Sequence, residues 1–353
     1  MRTTTRMRVA LLGWMIASAV AIAGAKDRTL DVYWIDSEGG GSTLIVTPED
    51  ETVLIDTGFP GGRDAGRIEA ALKEAGMTRI DYVALTHFHG DHFGGGAELA
   101  QKVPIGTIFE RAIPDGDPDG RATSTFQVQI KPWREIPAPR ERLAAGVKIP
   151  LGNTVELICL AADKIAVEPT PEQAAKKNPL AGWMPRQSDD RSDNANSAVF
   201  LLKFGPFRMF HGGDLTWNVE ERLVVPHNLI GEVDVYQVSH HGQHDSNHPV
   251  LVHSIAPTVT VMNNGPRKGG QLGAFVALRG PKSVQAQYQV HKAMGVSAEE
   301  NAPDEYIANV EEVRPADKCP ANLIKMSVAA DGASYTIEIP AKGHRRVYRT
   351  RGS

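Results

Sequence analysis

His87, His89, Asp91 and His92 stand within six residues in the order H-x-H-x-D-H. Imidazole and carboxylate donors together suit Zn²⁺, Mn²⁺ or Fe. In extended backbone, side chains two residues apart share a face, so His87 and His89 can chelate one ion. Asp91 and His92 follow the turn of the chain and can face a second. Gly90 and Gly94–Gly96 let backbone pass closely around such ions. Three histidines and an aspartate in this order, directly after the apolar run Ile80–Leu85, point to metal chemistry rather than a polar surface loop. The chain has no Gly-x-Ser-x-Gly elbow, and neither Cys159 nor Cys319 sits in a nucleophile motif. The expected nucleophile is therefore a metal-bound hydroxide, made by two cations that lower the pKa of shared water and polarise the scissile group.

Other residues of the same chemistry follow later. Gly213-Asp214-Leu215 comes after the strand-like run Phe207–Phe210, and Ser239-His240-His241-Gly242 after Val233–Val238. With His244, His248 and His253, the pair His240-His241 makes five histidines in 14 residues. Asp245 and Ser246 can hydrogen-bond a ligand imidazole and fix its tautomer. Arg267 and Lys268 lie on a Gly-rich loop after the strand Thr258–Met262, where two cations suit a phosphate or carboxylate substrate. The acidic turn 114–120 does not match the EF-hand pattern.

The elements that must position these residues are short. Leu30–Ile35, Leu44–Thr47 and Val53–Ile55 read as strands. Asp64–Ala75 has helical apolar spacing, with Asp64 as N-cap and Gly76 as the stop. Ile80–Leu85, Val155–Leu160, Ala198–Phe204, Phe207–Phe210, Val233–Val238 and Thr258–Met262 read as further strands, with a helix near Trp217–Leu223. Weaker strands lie at Leu323–Val328 and Tyr335–Ile339. Glu168–Arg191 is polar and Pro-rich, a long loop or lid. Strands in two batches, with helices between them, suggest layered sheets covered by helices.

The chain has 353 residues, 41% hydrophobic and 23% charged, an ordinary globular composition that excludes a disordered or fibrous protein. Arg2, Arg6 and Arg8 precede an apolar stretch, Val9–Ala23, and Ala23-Gly24-Ala25 is a cleavage signature, so residues 1–25 read as a signal peptide and the protein as exported, periplasmic or secreted. Removing those three arginines moves the formal charge from −4 to −7, and no stable membrane span is expected to remain. That balance does not favour long nucleic acid as a partner. A small anionic or ester substrate fits better. Export would allow Cys159 and Cys319 to pair, and two separate buried thiols fit equally well.

The H-x-H-x-D-H run resembles the signature of the metallo-β-lactamase superfamily, and the likeness extends over about residues 30–265 as ordered landmarks. Leu54-Ile55-Asp56-Thr57-Gly58 looks like its early strand and turn, Gly213-Asp214 like the element carrying its metal-bridging aspartate, and Ser239-His240-His241-Gly242 like its last histidine motif. More narrowly, Asn196-Ser197, Gly213-Asp214 and His240-His241-Gly242 resemble free-standing relatives of the ComEC-type hydrolase domain. The resemblance implies an α/β (α+β) fold, a four-layer αββα sandwich. It implies a single hydrolase domain over 26–353, with a C-terminal extension after about 270. It further implies two divalent ions, Zn foremost. His87 and His89 would hold the first, and Asp91, His92 and His240 the second. Asp214 would bridge them, with Asp91 and Asp214 as the catalytic carboxylates. His240 is preferred over His241 because it stands nearer the strand end. Asp56 would orient a ligand. No histidine lies between His92 and His211, so the stretch Asp193–Ser197, with Asn196 as a candidate, or water, would complete the first site. His211 is a substitute ligand or a structural histidine. The expected activity is hydrolysis of a phosphoester or phosphodiester. The alternatives are a lactone or β-lactam-type hydrolase and a non-catalytic exported metal-binding protein.

Overall fold

The computed structural model describes residues 28–352. The signal-peptide reading of residues 1–25 lies outside them. Two nine-stranded sheets face each other. The first runs, edge to edge, His344–Arg349, Ser334–Ile339, Ile324–Val328, Leu30–Trp34, Thr43–Val46, Thr52–Ile55, Ile80–Ala84, Ile105–Glu110 and Arg140–Arg142. The second runs Ile307–Asn309, Ala286–His291, Val259–Met262, Val235–Gln237, Phe207–His211, Val199–Phe204, Val155–Ala162 and Lys148–Ile149, with Ile165–Ala166 paired on Val155–Ala162. The segment after 270 thus supplies strands to both sheets. Leu30–Trp34, near the start of the described chain, is bonded to Ile324–Val328 near its end.

Strand alternation builds the layers. Leu30, Val32 and Trp34 turn inward with Ile45, Val53 and Ile55 and meet Leu157, Phe200, Met209, Val235 and Val259 of the opposite sheet. Tyr33, Ile35, Leu44, Val46 and Leu54 turn outward onto Ile68 and Leu72 of the helix Arg63–Glu74. The outer face of the second sheet is covered by Trp217–Arg222, Pro249–Ile255 and Leu272–Arg279. Helix, sheet, sheet, helix is the expected αββα sandwich. Among the described residues no helix is long and apolar enough to cross a membrane.

One local expectation is corrected. Gly62, in left-handed backbone at φ 80°, precedes the first helix, which starts at Arg63. Asp64 sits inside the first turn, where its carboxylate accepts from Phe59 N at 2.7 Å and pairs with Arg63. A carboxylate in the first turn of a helix is favoured by the helix dipole as well as by capping, so composition alone does not separate the two positions.

The site follows from strand direction. Thr52–Ile55, Ile80–Ala84 and Ile105–Glu110 are mutually parallel, as are Phe207–His211, Val235–Gln237, Val259–Met262 and Ala286–His291. Their carboxyl ends deliver Asp56, Thr86-His87, Asp214, His240-His241 and Lys268 to one edge of the sandwich, the usual place for ligands in parallel sheets.

Candidate metal centre

Four imidazoles converge on one oxygen. Asp214 Oδ2 lies 3.2 Å from His92 Nε2, 3.3 Å from His241 Nε2, 3.7 Å from His240 Nε2 and 4.0 Å from His87 Nε2. Asp214 reaches this point because Gly213 turns the chain at φ 51° beyond the strand end and Ser197 Oγ accepts the Asp214 backbone N–H. Burial opposes the carboxylate form, yet the imidazoles of His241, His92 and His240 hold Asp214 well below the usual carboxylate range.

Each imidazole is oriented from behind by an acceptor that spends one of its nitrogens. His92 Nδ1 donates to Asp56 Oδ2 at 2.7 Å, and His241 Nδ1 to the Asn263 carbonyl at 3.2 Å. His240 Nδ1 donates to Asp245 Oδ1 at 2.9 Å, and His89 Nε2 to Asp119 Oδ1 at 2.9 Å. The Thr86 hydroxyl donates to Asp56, so its oxygen accepts from His87 Nδ1 at 3.0 Å. What is left on each ring is one nitrogen that faces inward. His87 Nε2 and His89 Nδ1 face each other at 3.0 Å. A proton shared between them or a metal ion would hold them at that separation, and two nitrogens bound at about 2.0–2.1 Å to one ion sit about this far apart.

Asp91, His92, Asp214 and His241 form a second donor group, with one ligand atom from each lying within 4.8 Å of all the others. His92 Nε2 and His241 Nε2 are sealed from solvent and make no hydrogen bond. Orphaned buried nitrogens are costly, and a divalent ion would relieve them. Burial lowers the His92 pKa, but Asp214, Asp91 and Asp56 outweigh it and hold the imidazole well above the usual histidine range. His87 goes the other way, kept neutral by burial and by His92 and His89. The donor set therefore fits two divalent cations, one against His87 and His89 and one against Asp91, His92 and His241, with Asp214 between.

Several sequence-based placements change. His241, not His240, stands with Asp91 and His92. Both residues have left-handed backbone, φ 53° and 52°, so the strand's alternation ends before them and nearness to the strand does not decide which side chain enters the group. His240 turns instead toward Asn194, whose Nδ2 lies 3.1 Å from its Nε2. The neighbouring Asp193 braces Phe88 N at 2.7 Å, and its own N–H meets the Asp119 oxygen that holds His89. His240 thus stands against the turn Asp193–Asn196, which also braces the His87–His89 segment, where the sequence lacks a third histidine. Asn196 is not at the centre; its Nδ2 donates to Asp193 Oδ1, and Asn194 takes the inward place with an unpartnered Oδ1. Asp56 lies behind His92, as expected. His211 is not among the grouped donors; it accepts Gly213 N–H on Nδ1, and burial pushes its pKa down to about 4. Lys268 reaches the centre and pairs with Asp91 Oδ2. Arg267 does not, being held in a two-pronged pair by Glu312 at 2.7 and 2.8 Å. Asp119 was missed as a positioning residue. Its only sequence signal was the acidic loop, which offers no reach toward His89 without the fold.

Residues 36–148 match the family model described as the metallo-beta-lactamase superfamily. The matched stretch contains the H-x-H-x-D-H run. Over 70 residues the chain is 36% identical to coenzyme F420H(2) oxidase of Methanothermobacter marburgensis, covering 19% of this chain and 17% of that protein. Over 229 residues it is 24% identical to competence protein ComA of Neisseria gonorrhoeae, covering 64% of this chain and 26% of that one. The matches thus span only 17% and 26% of the length of these curated relatives. Among solved structures, the metallo-beta-lactamase fold protein YhfI from Bacillus subtilis aligns with a TM-score of 0.44 and 11% identity over 73% of this chain and 96% of that one.

Proposed function

We propose that the protein is an exported metal-dependent hydrolase of small anionic phosphoesters or phosphodiesters, with Zn²⁺ as the foremost metal and Mn²⁺ or Fe as alternatives. The observation that carries the reading is the inward set of imidazole nitrogens around Asp214 Oδ2, two of which, on His92 and His241, have no hydrogen-bond partner. Divalent ions held there would supply water activation and polarisation of the scissile group. The chain's own part is positional. Asp56, Thr86, Asp119, Asp245 and the Asn263 carbonyl fix ring tautomers. Asp214, kept ionised, can accept a proton from attacking water and pass it to a leaving group. Lys268 places a single cation beside Asp91, where a substrate anion can compete for it. The phosphodiester reading rests on the resemblance to the ComEC-type hydrolase domain, with which the similarity to a competence protein is in line. The formal charge of −4, falling to −7 without the first 25 residues, supports small substrates over long nucleic acid.

Metal-loaded protein should hydrolyse bis-p-nitrophenyl phosphate, and Asp214→Ala should not. Equal activity in both, or none in the loaded wild type against a panel that adds lactones and β-lactams, would refute the phosphoesterase reading. The same proposal has the exported chain begin at Lys26. N-terminal sequencing from the periplasm or medium checks this, and a chain found only in the cytoplasm with its leader would contradict it.

A further inference from the structure

A second mixed cluster lies away from the six-residue motif. Asp36 follows the strand Leu30–Trp34, Glu38 lies in the turn beyond it, His291 ends the strand Ala286–His291, and Cys319 follows the short turn Ala316–Lys318. One donor atom from each lies within 4.8 Å of the other three. His291 Nε2 stands 2.8 Å from Asp36 Oδ1 and 3.9 Å from Glu38 Oε1, and Cys319 Sγ stands 3.6 Å from Asp36 Oδ2. Asp36, His291 and Cys319 are buried. Glu38 Oε1 is closed to solvent and has no hydrogen-bond partner, although a lone buried carboxylate oxygen is costly. Arg67 stands beside the two acids, 3.1 Å from Asp36 and 3.7 Å from Glu38.

We propose that Asp36, Glu38, His291 and Cys319 hold a separate transition-metal ion of the Zn²⁺ class through one sulfur, one nitrogen and two oxygens. Thiolate, imidazole and carboxylate are the usual zinc donors, and four of them make a closed site. The charges balance: two carboxylates and a thiolate against one divalent ion and the Arg67 guanidinium. Burial holds the free Cys319 thiol up at about 11, so binding releases its proton to solvent, as metal–thiolate formation does generally. Beside the cluster, Glu38 also lines an open cleft of about 750 Å³ together with Lys268 and Arg267. The site also braces the catalytic edge. A Cβ on Gly265 would lie 2.2 Å from the Glu38 carbonyl oxygen, and one on Gly39 2.9 Å from Lys268 Cβ. The turn bearing Glu38 therefore packs without slack on the loop that carries Lys268 to Asp91.

The test is cobalt substitution of the metal-free full chain, saturated with Co²⁺. The H-x-H-x-D-H centre offers only nitrogen and oxygen donors, so a sulfur-to-cobalt charge-transfer band reports Cys319 alone. The band should appear in the wild type, persist in Cys159→Ser and in the His87→Ala/His89→Ala double variant, and vanish in Cys319→Ser. X-ray absorption on the wild type should show one cobalt–sulfur distance of about 2.3 Å, which decides the matter even if Cys319→Ser does not fold. Absence of both the band and the sulfur shell in folded, cobalt-saturated wild type overturns the proposal. So does a band that survives Cys319→Ser. Neither result bears on phosphoester hydrolysis.

Discussion

Replacing Asp56 by Asn should weaken the Asp91–His92–His241 metal site without touching a ligand. Asp56 accepts Thr86 N–H on Oδ1 at 2.8 Å and His92 Nδ1–H on Oδ2 at 2.7 Å. Its φ of 63° is one that Asn tolerates better than most residues, so the turn should survive. If the new amide oxygen keeps Thr86, its NH₂ confronts the His92 N–H. The ring can relieve that clash only by moving its proton to Nε2, which removes the lone pair aimed at the ion. Loss of such a supporting partner typically costs about 10–100-fold in metal affinity, or about 1.4–2.8 kcal/mol. The assay is competition against a chromophoric chelator at neutral pH, with circular dichroism to confirm that the metal-free variant is folded. An affinity within about threefold of wild type in a folded variant, well below the expected cost, would refute the tautomer argument.

Further expectations follow from the same geometry. Gly41→Ala should act like Asp56→Asn, because the new Cβ would sit 2.6 Å from His92 Nδ1 and 2.7 Å from Asp56 Oδ2; chelator competition should show an affinity loss of the same order, about tenfold or more. His240→Ala should weaken the ion beside His87 and His89, while His241→Ala should weaken the one beside Asp91 and His92. Stepwise metal titration followed by plasma mass spectrometry separates them, and identical losses from the two variants would count against the split. His211, held down at about 4 from 6.5, should make the metal-free fold lose stability as pH falls. Its contribution is fully present above 6.5 and is lost between 6.5 and about 4 because the unfolded chain binds the proton first, in total about 3 kcal/mol. Urea unfolding from pH 7 to 4 should show a shallower decline in His211→Asn, whose amide oxygen can still accept Gly213 N–H.

Much of this was legible locally. His87, His89, Asp91 and His92 lie within one stretch just past the strand Ile80–Ala84, and the β-branched and aromatic content of Leu30–Ile35 and Leu44–Thr47 already marked strands. Asp214 was marked by the apolar strand and glycine before it. What local pattern could not supply was direction past a strand end. His240 and His241 both adopt left-handed backbone, which no alternation rule foresees, and Asn194 and Asn196 sit in a tight turn where two residues reverse the side-chain direction. Contacts between distant segments left no trace either: His291 meets Asp36 across 255 residues, and Asp119 meets His89 from a loop whose composition signalled only a turn. Arg267 and Lys268 are neighbours of like charge, and only Glu312, 45 residues on, draws one away from the centre.

The most direct test is anomalous diffraction from crystals of the zinc-loaded protein, collected on both sides of the zinc edge. Two peaks are expected flanking Asp214 Oδ2, one bonded to His87 Nε2 and His89 Nδ1, the other to Asp91, His92 Nε2 and His241 Nε2. Fully loaded crystals with no metal bonded to His92 and His241, or with Asp214 in contact with neither ion, would contradict the account.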